Sequence, residues 1–220
     1  MSHQPFPFVI GSEFTPAIAA IIFEFLDDDT LRYGRTVCKG WKEFIDEKTH
    51  FWSTFSSRLF QLAVEDGRED IIRNMVQFAH NPNPADLEGQ TPMHTAVLKG
   101  KVKILELIIR ASEEKNPADF ENKWTPLHMA ASLGRTECAK VILENIADHS
   151  PRDCNGMTPM HFATEMGHAE ICELVLQHVK EKHPKDSLDR TPLDLAMYNG
   201  HEYIVELFQD LDWGENQDAK

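Results

Sequence analysis

From residue 58 onward the apolar positions fall into a two-part pattern that returns along the chain. The first part is a run such as TPLHMAASLG (125–134), long enough for about two helical turns. The second is a run such as ECAKVILEN (137–145), which sets Cys138, Ala139, Val141, Ile142 and Leu143 on one broad apolar face at helical spacing. The second run recurs as KILELII at 103–109, AEICELVL at 169–176 and EYIVELF at 202–208. Within the first run a small Ala precedes a Gly by four residues: Ala63 and Gly67, Ala96 and Gly100, Ala130 and Gly134, Ala163 and Gly167, Ala196 and Gly200. The pairs are spaced 33 or 34 residues apart, and a fixed period of this size predicts a stack of one helix-pair unit repeated.

The boundaries of each helix are written in the same pattern. Thr91, Thr125, Thr158 and Thr191 each precede a Pro. The Thr hydroxyl suits the helix N-cap and Pro suits the first helical position. The Gly that follows closes the first helix in the left-handed conformation. Between units, DLEGQ at 86–90 and DCNGM at 153–157 read as tight hairpin tips. One helix pair cannot bury its apolar faces alone, so stability must come from stacked neighbours, and such stacks offer long binding surfaces more than catalytic pockets.

The strings TPMHTAVLKG, TPLHMAASLG, TPMHFATEMG and TPLDLAMYNG resemble the ankyrin repeat, over roughly residues 86–210. The resemblance implies units at 86–119, 120–152, 153–185 and 186–212, preceded by a degenerate one at 58–85. That first unit, RLFQLAVEDGREDIIRNMV at 58–76, lacks Thr-Pro and His but keeps Ala63 and Gly67, as an end unit would. Asp194 stands where the other units have His, a second terminal sign. Lys123 and Asp189 replace the tip glycines Gly89 and Gly156, which predicts two less regular tips, and the wider Thr91–Thr125 spacing predicts one extra connector residue.

Residues 13–55 do not follow the period. Thr15 and Pro16 signal a helix start; Ile18, Ile21, Ile22, Phe25 and Leu26 share a face; Asp27–Asp29 end that helix; Val37, Cys38, Trp41, Phe44 and Ile45 mark a third helix. So short a segment cannot bury a generous core of its own, so its apolar faces call for a partner. The strings FTPAIAAIIFEFLDDDTLRYGRTVCKGWKEFI and HFW resemble an F-box, through Ile22, Phe23, Phe25, Leu26, Asp27, Val37, Cys38, Lys39, Trp41 and Trp52. The family's Leu-Pro pair would fall on Phe14 and Thr15, with Pro16 one place late. The expected architecture is therefore all-α: a tail at 1–12, a three-helix F-box-like module at 13–55, an ankyrin solenoid of about five helix pairs at 56–212, and a frayed acidic tail at 213–220.

Composition narrows the classes of partner. A formal charge of −14 argues against phosphate backbones and anionic membranes. No run approaches the roughly 18 apolar residues of a membrane span, and no secretory signal opens the chain. The four cysteines, three of them on apolar faces, read as free thiols of a reducing compartment, cytoplasm or nucleus.

Candidate chemistry is sparse. His94, His128 and His161 recur three residues after the capping Thr. The ankyrin resemblance implies a structural bond from each back to that Thr, and no metal-ligand spacing or cofactor motif accompanies them. Ser132 and Cys154, the nucleophile types worth naming, are both explained by repeat position, so no catalytic residue is expected. The positions that the family leaves free of framework duty, on the concave face, hold Leu98, Lys99, Trp124, Ser132, Leu133, Met157, Glu165, Met166, Arg190, Tyr198 and Asn199. Trp, Tyr, Met and Leu are contact-forming types, so Leu98, Trp124, Leu133, Met157, Met166 and Tyr198 are the expected protein-binding residues. Packing between neighbouring repeats competes as an explanation for Trp124 and Leu133. Five helix pairs abreast span roughly 40–50 Å, ample for an interface of about 800 Å² per partner.

Together the two resemblances imply a non-enzymatic adaptor of a cullin-type ubiquitin ligase, monomeric within its complex. Phe14, Ile18, Ile22, Leu26, Cys38 and Trp41 would bind the Skp adaptor, and through it the cullin, while the concave face would hold a protein substrate. The alternatives are an ankyrin scaffold that recruits no ligase and a pathogen effector that mimics a host F-box protein.

Overall fold

The computed structural model describes residues 58, 60–78 and 81–218, and all regular structure among them is helical. They belong to one unit spanning 53–220. The expected F-box-like module, with Phe14, Ile18, Ile22, Leu26, Cys38 and Trp41, lies outside the described residues.

After a helical stretch at 60–65 come α1 (Glu69–Phe78), α2 (Pro92–Leu98), α3 (Val102–Ala111), α4 (Pro126–Leu133), α5 (Thr136–Leu143), α6 (Pro159–Glu165), α7 (Ala169–Leu176), α8 (Pro192–Asn199) and α9 (Glu202–Asp218). The first helices stack in the order α2, α4, α6, α8, and the second helices in the order α1, α3, α5, α7, α9. Each first helix also packs on the second helix of its own unit. Helices of seven to ten residues are marginal alone, so this stacking supplies their stability.

The period explains the packing. Ala63, Ala96, Ala130, Ala163 and Ala196 are all fully buried, where a longer side chain would force the layers apart. The second helices contribute the larger core residues, among them Ile104, Leu105, Ile108, Ile142 and Ile171. Each such side chain contributes about 1.5–3 kcal/mol on burial.

Helix ends follow the sequence reading. Thr125 is extended (φ −102°, ψ 164°), its Oγ1 accepts the His128 backbone N–H at 3.4 Å, and Pro126 opens α4. Gly134 ends it at φ 68°. A Cβ at Gly134 would lie 2.7 Å from the His168 ring, so two independent constraints require glycine there.

The histidines do more than brace their own helix. The backbone N–H of Thr91, Thr125 and Thr158 donates to Nδ1 of His94, His128 and His161 at 3.0–3.1 Å. Nδ1 is thus an acceptor and the proton sits on Nε2. Nε2 donates across to the next unit, to the carbonyls of Trp124, Met157 and Arg190 at 3.1–3.2 Å. Each imidazole is a rivet between neighbours. Asp194 accepts from Thr191 N–H and Oγ1 at 2.8 and 2.7 Å but is exposed and, among the described residues, makes no bond to another unit. A carboxylate suffices for the cap once the inter-unit bond is dispensed with.

The hairpins are organised by an aspartate repeated at the start of each tip. One oxygen of Asp86, Asp119, Asp153 and Asp186 accepts two backbone N–H groups of its own tip, from Glu88 and Gln90, Asn122 and Trp124, Asn155 and Met157, Leu188 and Arg190. Burial works to raise the Asp186 pKa, but those donors and the Arg190 guanidinium outweigh it and hold the carboxyl below its ordinary value.

Two expectations change. Asp189 gives a regular tip: at φ 60° it adopts the conformation of Gly156, and its N–H bonds to Asp186 O at 3.1 Å as Gly156 N–H does to Asp153 O. The Lys123 tip is the irregular one. Asp119 and Thr125 are separated by one residue more than Asp86 and Thr91, so the extra residue lies in the tip, where Lys123 takes φ 58°. The end of the chain also differs, because α9 runs to Asp218 instead of fraying after residue 212. No proline interrupts that stretch, so the helix continues although Asp212, Gly214 and Asn216 are weak helix formers.

Candidate protein-binding face

The first helices carry a row of exposed apolar side chains at their C-terminal turns. Leu98 on α2 is 47% exposed, Leu133 on α4 42%, Met166 after α6 50%, and Met197 and Tyr198 on α8 62% and 88%. A second row stands on the hairpin tips, where Leu87, Phe120 and Leu188 are 71–72% exposed. The tips lie side by side, joined by backbone bonds from Phe120 N–H to Glu88 O, Cys154 N–H to Asn122 O and Ser187 N–H to Asn155 O at 2.9–3.0 Å.

Four of the six residues expected on this face therefore present apolar surface there: Leu98, Leu133, Met166 and Tyr198. Trp124 is half-buried, with its indole edge-on to Phe162 of α6 at 4.7 Å between centroids. It belongs to the seam between two units as much as to the surface. Met157 does not belong to the surface at all. It is 8% exposed, its N–H is held by Asp153 and its carbonyl by His128, which draws the residue inward. The tip residues Leu87, Phe120 and Leu188 escaped the sequence reading, although each follows the periodic aspartate by one or two places.

Among the described residues, no nucleophile on this face is paired with a base. Cys138 and Cys172 are buried, and desolvation pushes their thiols up to about 11 and about 12, away from the nucleophilic thiolate. Cys154 is exposed on its tip. Burial lowers His94, His128 and His161, with His128 reaching about 4, so all three are neutral near pH 7. Among the described residues no group of three or more His, Cys, Asp or Glu is placed to hold a metal, and no helix is long and apolar enough to cross a membrane.

The sequence profile for ankyrin repeats in three copies matches residues 60–153 and 145–219, most of the chain. The chain belongs to the ankyrin-repeat family. Over 82 residues it is 32% identical to protein phosphatase 1 regulatory subunit 12A of Mus musculus, covering 36% of this chain and 8% of that protein. Over 84 residues it is 31% identical to Notch-regulated ankyrin repeat-containing protein A of Danio rerio, covering 36% of this chain and 74% of that protein. The human Notch-regulated ankyrin repeat-containing protein is 29% identical over 86 residues, 75% of its length. The chain thus spans less than a tenth of the phosphatase subunit it matches. Ankyrin repeats imply protein partners, and the exposed apolar side chains at the ends of successive first helices offer them contact surface.

Proposed function

We propose that the chain is a protein-binding scaffold, without catalytic chemistry of its own, whose first-helix and hairpin-tip face holds a protein partner. One observation carries this reading: Leu98, Leu133, Met166 and Tyr198 recur at the ends of successive first helices, exposed, on a frame that fixes their spacing. A rigid row of anchors suits a partner segment laid across several units, because little ordering is needed on binding. Affinity capture with the chain and with Leu133→Ser/Met166→Ser/Tyr198→Ala, compared by quantitative mass spectrometry, tests it. The variant is expected to lose the partners that the intact chain retains. Retention of the same partners would overturn the reading.

A finer reading adds ligase recruitment, and the string at 13–55 favours it. Val37, Cys38, Lys39 and Trp41 with Trp52 follow the F-box order. In this reading Phe14, Ile18, Ile22, Leu26, Cys38 and Trp41 dock on a Skp adaptor and its cullin. The scaffold becomes a substrate receptor in the cytoplasm or nucleus, acting by raising the substrate's effective concentration to ~mM near the conjugating enzyme. Co-purification of the adaptor with the full chain, but not with one lacking residues 1–55, is the expected result. Failure of the full chain to retain the adaptor leaves the plain scaffold.

A further inference from the structure

A charged row runs beside the apolar one. The residue after each helix-ending glycine is basic: Arg68, Lys101, Arg135, His168 and His201. Each of the last four reaches back over the glycine of the preceding unit. A Cβ on Gly67 would lie 3.1 Å from Lys101 Nζ, one on Gly100 3.6 Å from the Arg135 guanidinium, and one on Gly167 2.6 Å from the His201 ring. Arg135 Nη2 donates to Leu98 O at 3.2 Å, His168 Nε2 to Ser132 O at 3.2 Å, and His201 Nε2 to Glu165 O at 3.0 Å. The basic groups are therefore pinned beside Leu98, Leu133 and Met166. The acceptor of Arg135 is a neutral carbonyl at a helix C-terminus, where positive charge is favoured, so the bond positions the guanidinium without cancelling its charge.

Lys101 and Arg135 of this row, and Lys99 beside it, are set apart from the paired cations by their lack of carboxylate partners among the described residues. Arg68, Arg110, Arg152, Lys185 and Arg190 each face an acidic partner. Lys99, Lys101 and Arg135 make no ion pair with any described residue, although the chain carries a formal charge of −14. Exposed Lys99 sits next to Leu98, so three uncompensated cations flank the apolar anchors of units 2 and 3. In unit 1 the positions that correspond to Leu98 and Lys99 hold exposed Glu65 and Asp66.

We infer that this face takes an acidic amphipathic peptide segment, with apolar side chains on Leu98, Leu133 and Met166 and carboxylates on Lys99, Lys101 and Arg135. The inference rests on the reading of the first-helix face as the binding surface. Glu65 and Asp66 by themselves would favour a basic segment over unit 1, whereas the cations of units 2 and 3 favour an acidic one. A nucleic acid would meet the chain's negative field along its whole length and leave the apolar anchors unused, so a peptide is the better match. Glu65 and Asp66 bound the site on the side of unit 1, so the segment's carboxylates lie over units 2 and 3.

A random-peptide phage library selected against the full chain tests this directly. The enriched peptides are expected to be acidic, with apolar residues interspersed. Lys99→Glu/Lys101→Glu/Arg135→Glu should weaken them about tenfold or more, and rising salt should weaken binding to the unmodified chain. Enriched peptides that are neutral or basic, yet lost with Leu133→Ser/Met166→Ser/Tyr198→Ala, overturn the charge inference and leave the face standing. Peptides indifferent to both variants overturn the face itself. A single-stranded oligonucleotide that competes with the acidic peptides at equal affinity, or a selection with no enrichment, also overturns the inference.

Discussion

The indole of Trp124 stands edge-on to the ring of Phe162, 4.7 Å between centroids at an interplanar angle of 67°, and so ties the tip of unit 3 to the first helix of unit 4. Phe162 in turn meets His128 at 5.8 Å. The largest side chain that the sequence offers to the binding face is thus partly occupied in holding the stack together. Trp124→Ala should cost about 2 kcal/mol of stability by removing a half-buried aromatic pair. Tyr198→Ala, at 88% exposure, should cost under about 0.5 kcal/mol. Urea titrations followed by circular dichroism separate the two, and equal losses would remove Trp124 from the seam.

Acid should loosen the stack through its histidine rivets. Burial lowers His94, His128 and His161 below the ordinary 6.5, so the unfolded chain binds protons at a pH where the folded chain does not. The stability they support is full above about pH 6.5 and falls as the pH drops towards 4, the folded value of His128. For His128 alone that fall corresponds to about 3 kcal/mol. Melting temperatures measured from pH 7.5 to 4.5 should decrease across this window. His128→Gln should flatten part of the slope, and an unchanged slope would show that His128 is not the titrating group.

Lys123 pays a local strain that its neighbours avoid. Its φ of 58° is a conformation glycine adopts freely, as Gly89 and Gly156 do in the corresponding tips. Lys123→Gly should relieve about 1 kcal/mol of that strain, offset in part by the flexibility glycine adds to the unfolded chain. Asp189→Gly should give less, because aspartate tolerates the left-handed region better. Paired denaturant midpoints check the order, and a destabilised Lys123→Gly would mean that the lysine side chain contributes more than its strain costs.

Gly134 and Gly200 share a left-handed φ, 68° and 73°, but not their surroundings. A Cβ at Gly134 would strike the His168 ring at 2.7 Å, whereas nothing lies within 4 Å of one at Gly200. Gly200→Ala should therefore cost only the conformational penalty of about 1–2 kcal/mol. Gly134→Ala should cost measurably more, and the excess should vanish in a His168→Ala background. An excess that persists there would place the clash elsewhere.

Much of this was legible in the chain. The Ala–Gly period marked the first helices, Thr-Pro their starts and glycine their ends, because these are local constraints that a single segment expresses. The role of His128 was half visible: its bond to Thr125 follows from spacing within one helix, while its bond to Met157 depends on the next unit arriving in register. The same limit applies to the binding face. Tyr198 and Met157 look equally exposed as letters, but Asp153 turns the Met157 backbone inward, and only stacking shows that Trp124 meets Phe162. The periodic aspartates at 86, 119, 153 and 186 are visible in the sequence, but an aspartate before a turn glycine does not by itself show which backbone N–H groups it accepts. Unpaired Lys99, Lys101 and Arg135 could not be read at all, since pairing is a property of three dimensions.

The central claim is that protein partners sit on the first-helix face. Photo-crosslinking amino acids placed singly at Leu133, Met166 and Tyr198, and for comparison at Glu137, Glu170 and Tyr203 on the second helices, test it in one measurement. Discrete crosslinked partners from the first three positions and none from the second three are predicted. Partners captured equally from both sets, or only from the second helices, would contradict the account.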